Sequence, residues 1–148
     1  MLVPLNWDRR HSLNLTLTAG DPHNLLASFI VRLGSGLPYT PALENQRTGL
    51  ENSGNMPMFF NTDMYITQYL NLFDLPLSVF LKIYNLFDTQ NETNVYTDTG
   101  RAGYTLALVQ AERAAEPVRG DNTLQQYFTR PDFYSAPRQV EIGVSLIF

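Results

Sequence analysis

The chain has 148 residues, 44% of them hydrophobic and 12% aromatic, with a formal charge of −4 and no cysteine. That length can hold one domain with a sizeable core, and a chain without cysteine has neither a disulfide framework nor a thiolate metal site. The acidic balance leaves no basic surface for phosphates, so nucleic acid is not an expected partner, and no run of about eighteen apolar residues offers a transmembrane helix.

A transmembrane β-barrel stays open, because its lipid-facing and lumen-facing residues alternate and average to a near-neutral hydropathy. The mean hydropathy of −0.17 therefore does not separate a soluble fold from a barrel wall. Residues 1–7 have no basic region, no long apolar run and no small-residue cleavage site, so they do not read as a secretory signal. A protein working outside the cytoplasm is expected to need more chain than this.

Period-two alternation begins near residues 9–19, where Leu13, Leu15, Leu17 and Ala19 oppose Asn14, Thr16 and Thr18. Residues 20–24, Gly-Asp-Pro-His-Asn, supply a tight turn. A second strand is predicted over 25–34, with Ala27, Phe29, Val31 and Leu33 against Ser28, Ile30 and Arg32. Residues 34–57 are rich in Gly, Pro, Asn and Ser, without a sustained period, and read as a long loop.

A third strand is predicted over 59–72, where Met64, Ile66, Leu70 and Leu72 share a face that Gln68 interrupts. After a turn at 73–76 the fourth follows over 77–88, with Leu77, Val79, Leu81 and Ile83 against Ser78, Phe80, Lys82 and Tyr84. The connection from 89 to 137 is far longer than the usual four to six residues. Inside it, residues 106–115 have helix-forming composition, and Pro117 is expected to stop the helix.

The fifth strand, 138–148, has the cleanest alternation: Val140, Ile142, Val144, Leu146 and Phe148 on one face, Gln139, Glu141, Gly143 and Ser145 on the other. About ten such residues match a tilted strand that crosses a bilayer. The fold class expected is all-β, with five antiparallel strands belonging to a larger transmembrane barrel. Connections alternate short, long, short, long, as in outer-membrane barrels, which makes the turns at 20–24 and 73–76 periplasmic and the long loops extracellular. Five strands do not close a membrane barrel, because each unpaired backbone group in lipid costs several kcal/mol. The outer strands are expected to pair with barrel strands outside this chain.

Residues 4–14, Pro-Leu-Asn-Trp-Asp-Arg-Arg-His-Ser-Leu-Asn, resemble the "P-x-D-x-D-x-R-H-x-x-N" approach to a late strand in TonB-dependent outer-membrane receptors, with Asn6 in place of an acidic residue. Residues 79–88 look like that family's strand ending Asn-Leu-Phe-Asp, residues 94–101 are similar to the segment that follows it, and 137–148 look like its closing strand. The order is the family's, and the likeness covers most of the chain. It implies a receptor in the outer membrane of a Gram-negative bacterium that imports a scarce ligand, such as an iron chelate, cobalamin or a glycan. It further implies partners: outer-membrane lipid, the missing N-terminal barrel strands and plug, TonB acting through that plug, and the barrel assembly machinery. By that likeness Val140, Ile142, Val144, Leu146 and Phe148 form the barrel-assembly signal, which could act by adding an unpaired edge to an open seam. The alternative is that Phe148 simply ends a core strand.

Asp98-Thr99-Gly100 matches the triplet with which aspartic proteases supply one of two proton-sharing carboxylates. Its flanks, Tyr96-Thr97 and Arg101-Ala102, are not the apolar strand and small-residue turn that chemistry uses. His11 and His23 lack metal-pair spacing, and no nucleophile elbow or phosphate loop occurs. No enzymatic activity, cofactor or metal is expected. Trp7, Tyr39, Phe59, Phe60, Tyr84 and Phe87 fall near predicted strand ends, where rings suit a lipid–water boundary or an ordinary core. Arg32, Asp63, Lys82 and Glu141 would face the lumen and the plug. A soluble β-sandwich binding module is the competing architecture, since it too offers alternating strands with turn punctuation.

Overall fold

The computed structural model describes residues 3–73, 75–114 and 123–146. The elements in chain order are β1 (Ser12–Gly20), β2 (Leu25–Gly34), β3 (Pro38–Tyr39), β4 (Ala42–Leu43), β5 (Gln46–Arg47), β6 (Gly54–Asn55), β7 (Phe59–Leu72), β8 (Leu75–Tyr84), α1 (Leu106–Arg113), α2 (Leu124–Phe128), a 3-10 turn (Pro131–Phe133) and β9 (Gln139–Leu146). They divide into two compact units, one holding the long strands (Ser12–Leu33, Phe60–Thr89, Ala136–Phe148) and one holding the two long connections together with Met1–His11.

The first unit is a five-stranded antiparallel sheet in the order β1-β2-β7-β8-β9. Neighbours in sequence are neighbours in the sheet, so both long connections leave from one end and both short turns from the other. The five predicted strands are all present.

Three boundaries differ by two residues or more, each for a local reason. β1 begins at Ser12 and not at residue 9, because His11 is held from outside the sheet: its N–H donates to Ser35 Oγ at 3.1 Å and its carbonyl accepts from Ser35 N at 2.8 Å. The turn placed at 73–76 shrinks, since Leu72 pairs with Leu75 and Asn71 with Pro76, and Phe73 turns the chain with φ 52°. Proline is tolerated there because it sits at a strand start, where its fixed φ fits the extended chain. β8 ends at Tyr84 and not at residue 88, because Asn85 and Asp88 adopt φ of 54° and 53°, left-handed conformations that asparagine and aspartate accept readily. The last strand is described to Leu146, and the predicted Ile147 and Phe148 lie outside the described residues.

The Gly20 turn requires its glycine. With φ 123° and a built Cβ meeting the Leu25 carbonyl oxygen at 2.1 Å, no other side chain fits. Asp21 completes the turn: its carboxylate accepts from His23 N at 2.9 Å and its backbone N–H donates to Leu25 O at 2.8 Å.

In the second unit the connection read as a structureless loop contains two nested ladders, β3 with β6 and β4 with β5. The inner one turns on Glu44 and Asn45, whose φ values of 49° and 64° are those of a two-residue hairpin turn. Two-residue strands are too short for a period to be visible. The longer connection forms the helix expected from residue 106, started by Thr105, whose Oγ accepts from Ala107 N; it ends at Arg113, and Pro117 lies outside the described residues. α2 carries a reciprocal cap between Thr123 and Gln126. Pro38, Val95, Ala102 and Phe133 are buried apolar residues of this unit, with the Tyr96 and Phe133 rings 5.1 Å apart.

Candidate lipid-facing surface and loop sites

Strand register assembles an apolar face. Ile83 lies opposite Val140, Leu81 opposite Ile142, Val79 opposite Val144 and Leu77 opposite Leu146. On the other flank of β8, Met64 pairs with Ile83, Ile66 with Leu81 and Leu70 with Leu77. A hydrophobic parity written separately into three strands thus becomes one continuous surface.

On β9 that surface is exposed, with Ile142 at 74% and Val144 at 66%, while its β8 residues Leu77, Val79, Leu81 and Ile83 are half-buried between their neighbours. Val140 and Leu146 are exposed as well, so four of the five residues of the expected assembly signal stand on it, and Phe148 lies outside the described residues. Fully burying an exposed side chain of this kind gains about 1.5–3 kcal/mol.

The opposite face carries the charges. The charged residues of the five long strands, Arg32, Asp63, Lys82 and Glu141, all point to it and pair with one another: Arg32 Nη1 with Asp63 Oδ2 at 3.1 Å, and Lys82 Nζ with Glu141 Oε1 at 3.3 Å. Thr18 and Ser28 share a hydrogen bond of 2.9 Å there, Ser78 faces Ser145, and the Tyr65 and Tyr84 rings meet edge to face at 5.8 Å. Asp63 is only 3% exposed and is satisfied by Arg32, the Asn61 amide and the Asn85 backbone N–H. Gln68, the polar interruption of the apolar face, donates to Asn24 Oδ1 at 2.6 Å and to Tyr69 O at 3.1 Å.

The aromatic expectations divide. Phe60 stacks on Phe87 with centroids 6.0 Å apart, and Phe87 is exposed. Tyr84, by contrast, stands with the polar parity beside Lys82 and is no boundary residue of the apolar face. Phe59 also has the polar parity, and Arg9 lies over its ring at 5.4 Å. Tyr39 packs against Gly54 and Gly100, where no Cβ would fit.

Asn85 is the organiser that sequence reading missed. Its amide donates to Thr89 O and Ala136 O, its side-chain oxygen accepts from Thr89 N at 2.9 Å, and Asp88 Oδ1 accepts from Arg138 N at 2.8 Å. The Asn-Leu-Phe-Asp stretch is thus a turn that holds the chain where it enters β9. The signal was the pair of residues that tolerate positive φ at its two ends.

The loop carboxylates are structural in their contacts. Asp98 Oδ2 accepts from Thr105 Oγ at 2.7 Å and from Leu106 N at 2.6 Å, so it caps the first turn of α1. Its Oδ1 is buried with no hydrogen-bond partner among the described residues, and Gly100 takes φ 70°. Glu92 accepts from Arg101 Nη2 at 2.7 Å and Nε at 3.0 Å and from the Ala102 backbone. That pairing raises the Arg101 pKa. Arg130 and Asp132 form a two-pronged pair at 2.7 and 2.9 Å, which raises the former's pKa and lowers the latter's. Burial pushes the Tyr96 hydroxyl above the usual tyrosine range, and it donates to Phe128 O at 2.6 Å. Among the described residues no group of three His, Asp or Glu is arranged to hold a metal ion, and no helix is long and apolar enough to cross a membrane.

No protein family, no curated protein and no solved structure matches the chain.

Proposed function

We propose that the chain is a segment of the wall of a transmembrane β-barrel of the TonB-dependent receptor type, working in uptake of a scarce ligand across the outer membrane and not in catalysis. The observation that carries the reading is the two-sidedness of the sheet, with an apolar face in register across β7, β8 and β9, exposed along β9, and every charge of the long strands on the reverse. In lipid the apolar face has its solvent, while the paired charges border an aqueous interior. β1 and β9 each offer an unpaired edge, which further strands of the barrel would satisfy; the closing signal on β9 would be what the assembly machinery reads.

The test exploits the single tryptophan. In a Trp7→Phe background, tryptophan is placed at 142, 144, 139 or 145, and quenching by zwitterionic micelles with brominated acyl chains is measured. Strong quenching at 142 and 144 with little at 139 and 145 is expected. Equal quenching at both parities ends the proposal, as does a folded chain that the brominated micelles quench at neither parity, which is the behaviour of a soluble sandwich. The isolated chain should also give no defined single-channel conductance, since five strands leave the barrel open.

A further inference from the structure

We infer that the cavity between the segment before β1 and the turn at residues 50–53 binds an apolar dipeptide by its two free ends, the carboxylate at Arg10 and the ammonium at Glu51. The cavity measures about 380 Å³, toward the low end of the range of about 300–1,000 Å³ typical of small-molecule sites. All of its walls belong to the unit that holds the two long connections. The inference goes beyond the uptake reading and does not depend on it.

The walls are set by backbone and amide bonds. Ser53 N–H donates to Leu50 O at 3.2 Å, which closes a tight turn, and Asn52 within that turn takes φ 54°. The buried Asn52 amide donates to Pro4 O and Asn6 Oδ1, both at 2.7 Å, and so ties the turn to the segment before β1. His11, next to Arg10, exchanges two bonds with Ser35, and Asn55 stands on β6 in register with Pro38. The cavity is therefore formed before anything enters it, which lowers the ordering cost of binding.

The charges on these walls are unmatched. Arg10 and Glu51 line the same cavity yet do not pair with one another, and among the described residues Arg10 has neither an ion pair nor a hydrogen bond. Glu51 meets Arg47 only at 3.5 Å with both side chains exposed, a contact worth little. Glu51 disfavours a purely anionic ligand and Arg10 a purely cationic one, so a ligand with one charge of each sign is complementary to both. An α-amino acid carries its two charges on one carbon, whereas each added residue sets them about 3.3–3.6 Å further apart, which suits two partners that do not reach each other. Leu50 is 59% exposed and Val3 47%, and they give the apolar wall for the side chains. The Ser53 hydroxyl and the Asn55 amide have no hydrogen-bond partner among the described residues and are free to serve the peptide group.

The test uses the full chain in neutral alkyl maltoside micelles, with leucyl-leucine, its N-acetyl form and its C-terminal amide as probes. Calorimetry should show saturable binding of leucyl-leucine, roughly tenfold tighter than that of either blocked form. Glu51→Gln should erase the difference between the free and the N-acetylated peptide and keep that between the free and the amidated one. Arg10→Gln should do the reverse. No saturable binding of leucyl-leucine overturns the inference, and so do equal affinities for the three forms. Variants that weaken all three ligands alike and leave both differences in place overturn it too, because the side chains would then only support the fold. The parity pattern on β9 is measured without peptide, so failure here with that pattern intact removes the peptide and leaves the wall.

Discussion

Lys82 Nζ sits 3.3 Å from Glu141 Oε1 on the strand directly opposite and 4.6 Å from the centroid of the Phe80 ring on its own strand. The cation is thus held between a carboxylate and an aromatic face, and the ring in turn covers Gly143, the partner of Phe80 across the ladder. Both charges are partly exposed, so the pair should be worth about 0.2–1 kcal/mol. Lys82→Glu sets two carboxylates opposite one another and should lower the urea midpoint by more than Lys82→Ala. The exchange Lys82→Glu with Glu141→Lys should recover most of the difference, and a double variant no better than the worse single would contradict the pairing.

Gly143 is small because Phe80 needs the space. A Cβ on Gly143 would come within 2.3 Å of Phe80 Cζ. Gly143→Val should therefore cost about 1–3 kcal/mol through overpacking, despite the better strand propensity of valine. Adding Phe80→Ala should return part of that loss, and the thermal midpoint of the micelle-folded chain measures both. Additive losses would mean that the ring and the glycine are not coupled.

These cross-strand relations show what was legible before any coordinates. The long strands could be read because each runs eight residues or more with a period of two that only single residues such as Ile30 and Gln68 break, and that period is not a helix's. Pro76 was read as a turn residue because proline usually breaks a ladder; it pairs with Asn71 because it stands at the start of its strand. The loop hairpins β3–β6 and β4–β5 are two residues per strand, held by φ-positive Glu44 and Asn45, and nothing periodic announces them. The Asn52 amide donates to Pro4 O and Asn6 Oδ1, more than forty positions away, a long-range contact that no local pattern encodes.

Asp98 caps α1, and that role sets its phenotype. Asp98→Ala removes the acceptor for Thr105 Oγ and Leu106 N, so amide exchange at the start of α1 should accelerate by an amount corresponding to about 0.5–2 kcal/mol. Asp98→Asn keeps one side-chain oxygen and should lie between the two. Should the preparation show any proteolysis, Asp98→Asn is expected to leave it unchanged; abolition would restore the protease reading of the triplet.

The Arg130–Asp132 pair gives a pH dependence whose sign is fixed. The hydrogen bonds from Arg130 hold the Asp132 carboxyl below its ordinary value. A depressed folded-state value means that the pair's contribution is fully present above the ordinary carboxylate range. It is lost as the pH falls through the depressed value. Both groups are exposed, so salt should weaken the effect. Carbon-detected titration of the Asp132 carboxyl should show the low value in the native chain and its return toward normal in Arg130→Gln. An unchanged titration in that variant would mean that Arg130 is not the cause.

The most demanding consequence concerns the apolar face of β9. Arginine at a lipid-facing position near the bilayer midplane costs about 2–4 kcal/mol, falling toward zero near the interfaces, whereas a lumen position tolerates it. Ile142 and Ser145 lie three residues apart on one strand, both exposed, but on opposite faces. Ile142→Arg should therefore destabilise the chain strongly in micelles, and Ser145→Arg should not. In plain water both positions face the same solvent, so the medium itself must create the difference. Comparing the two variants in micelles and in buffer isolates that term: a gap that appears only with detergent assigns Ile142 to the lipid. A gap of equal size in both media would instead mean that Ile142 is packed against protein, and the two-sided sheet would lose its explanation.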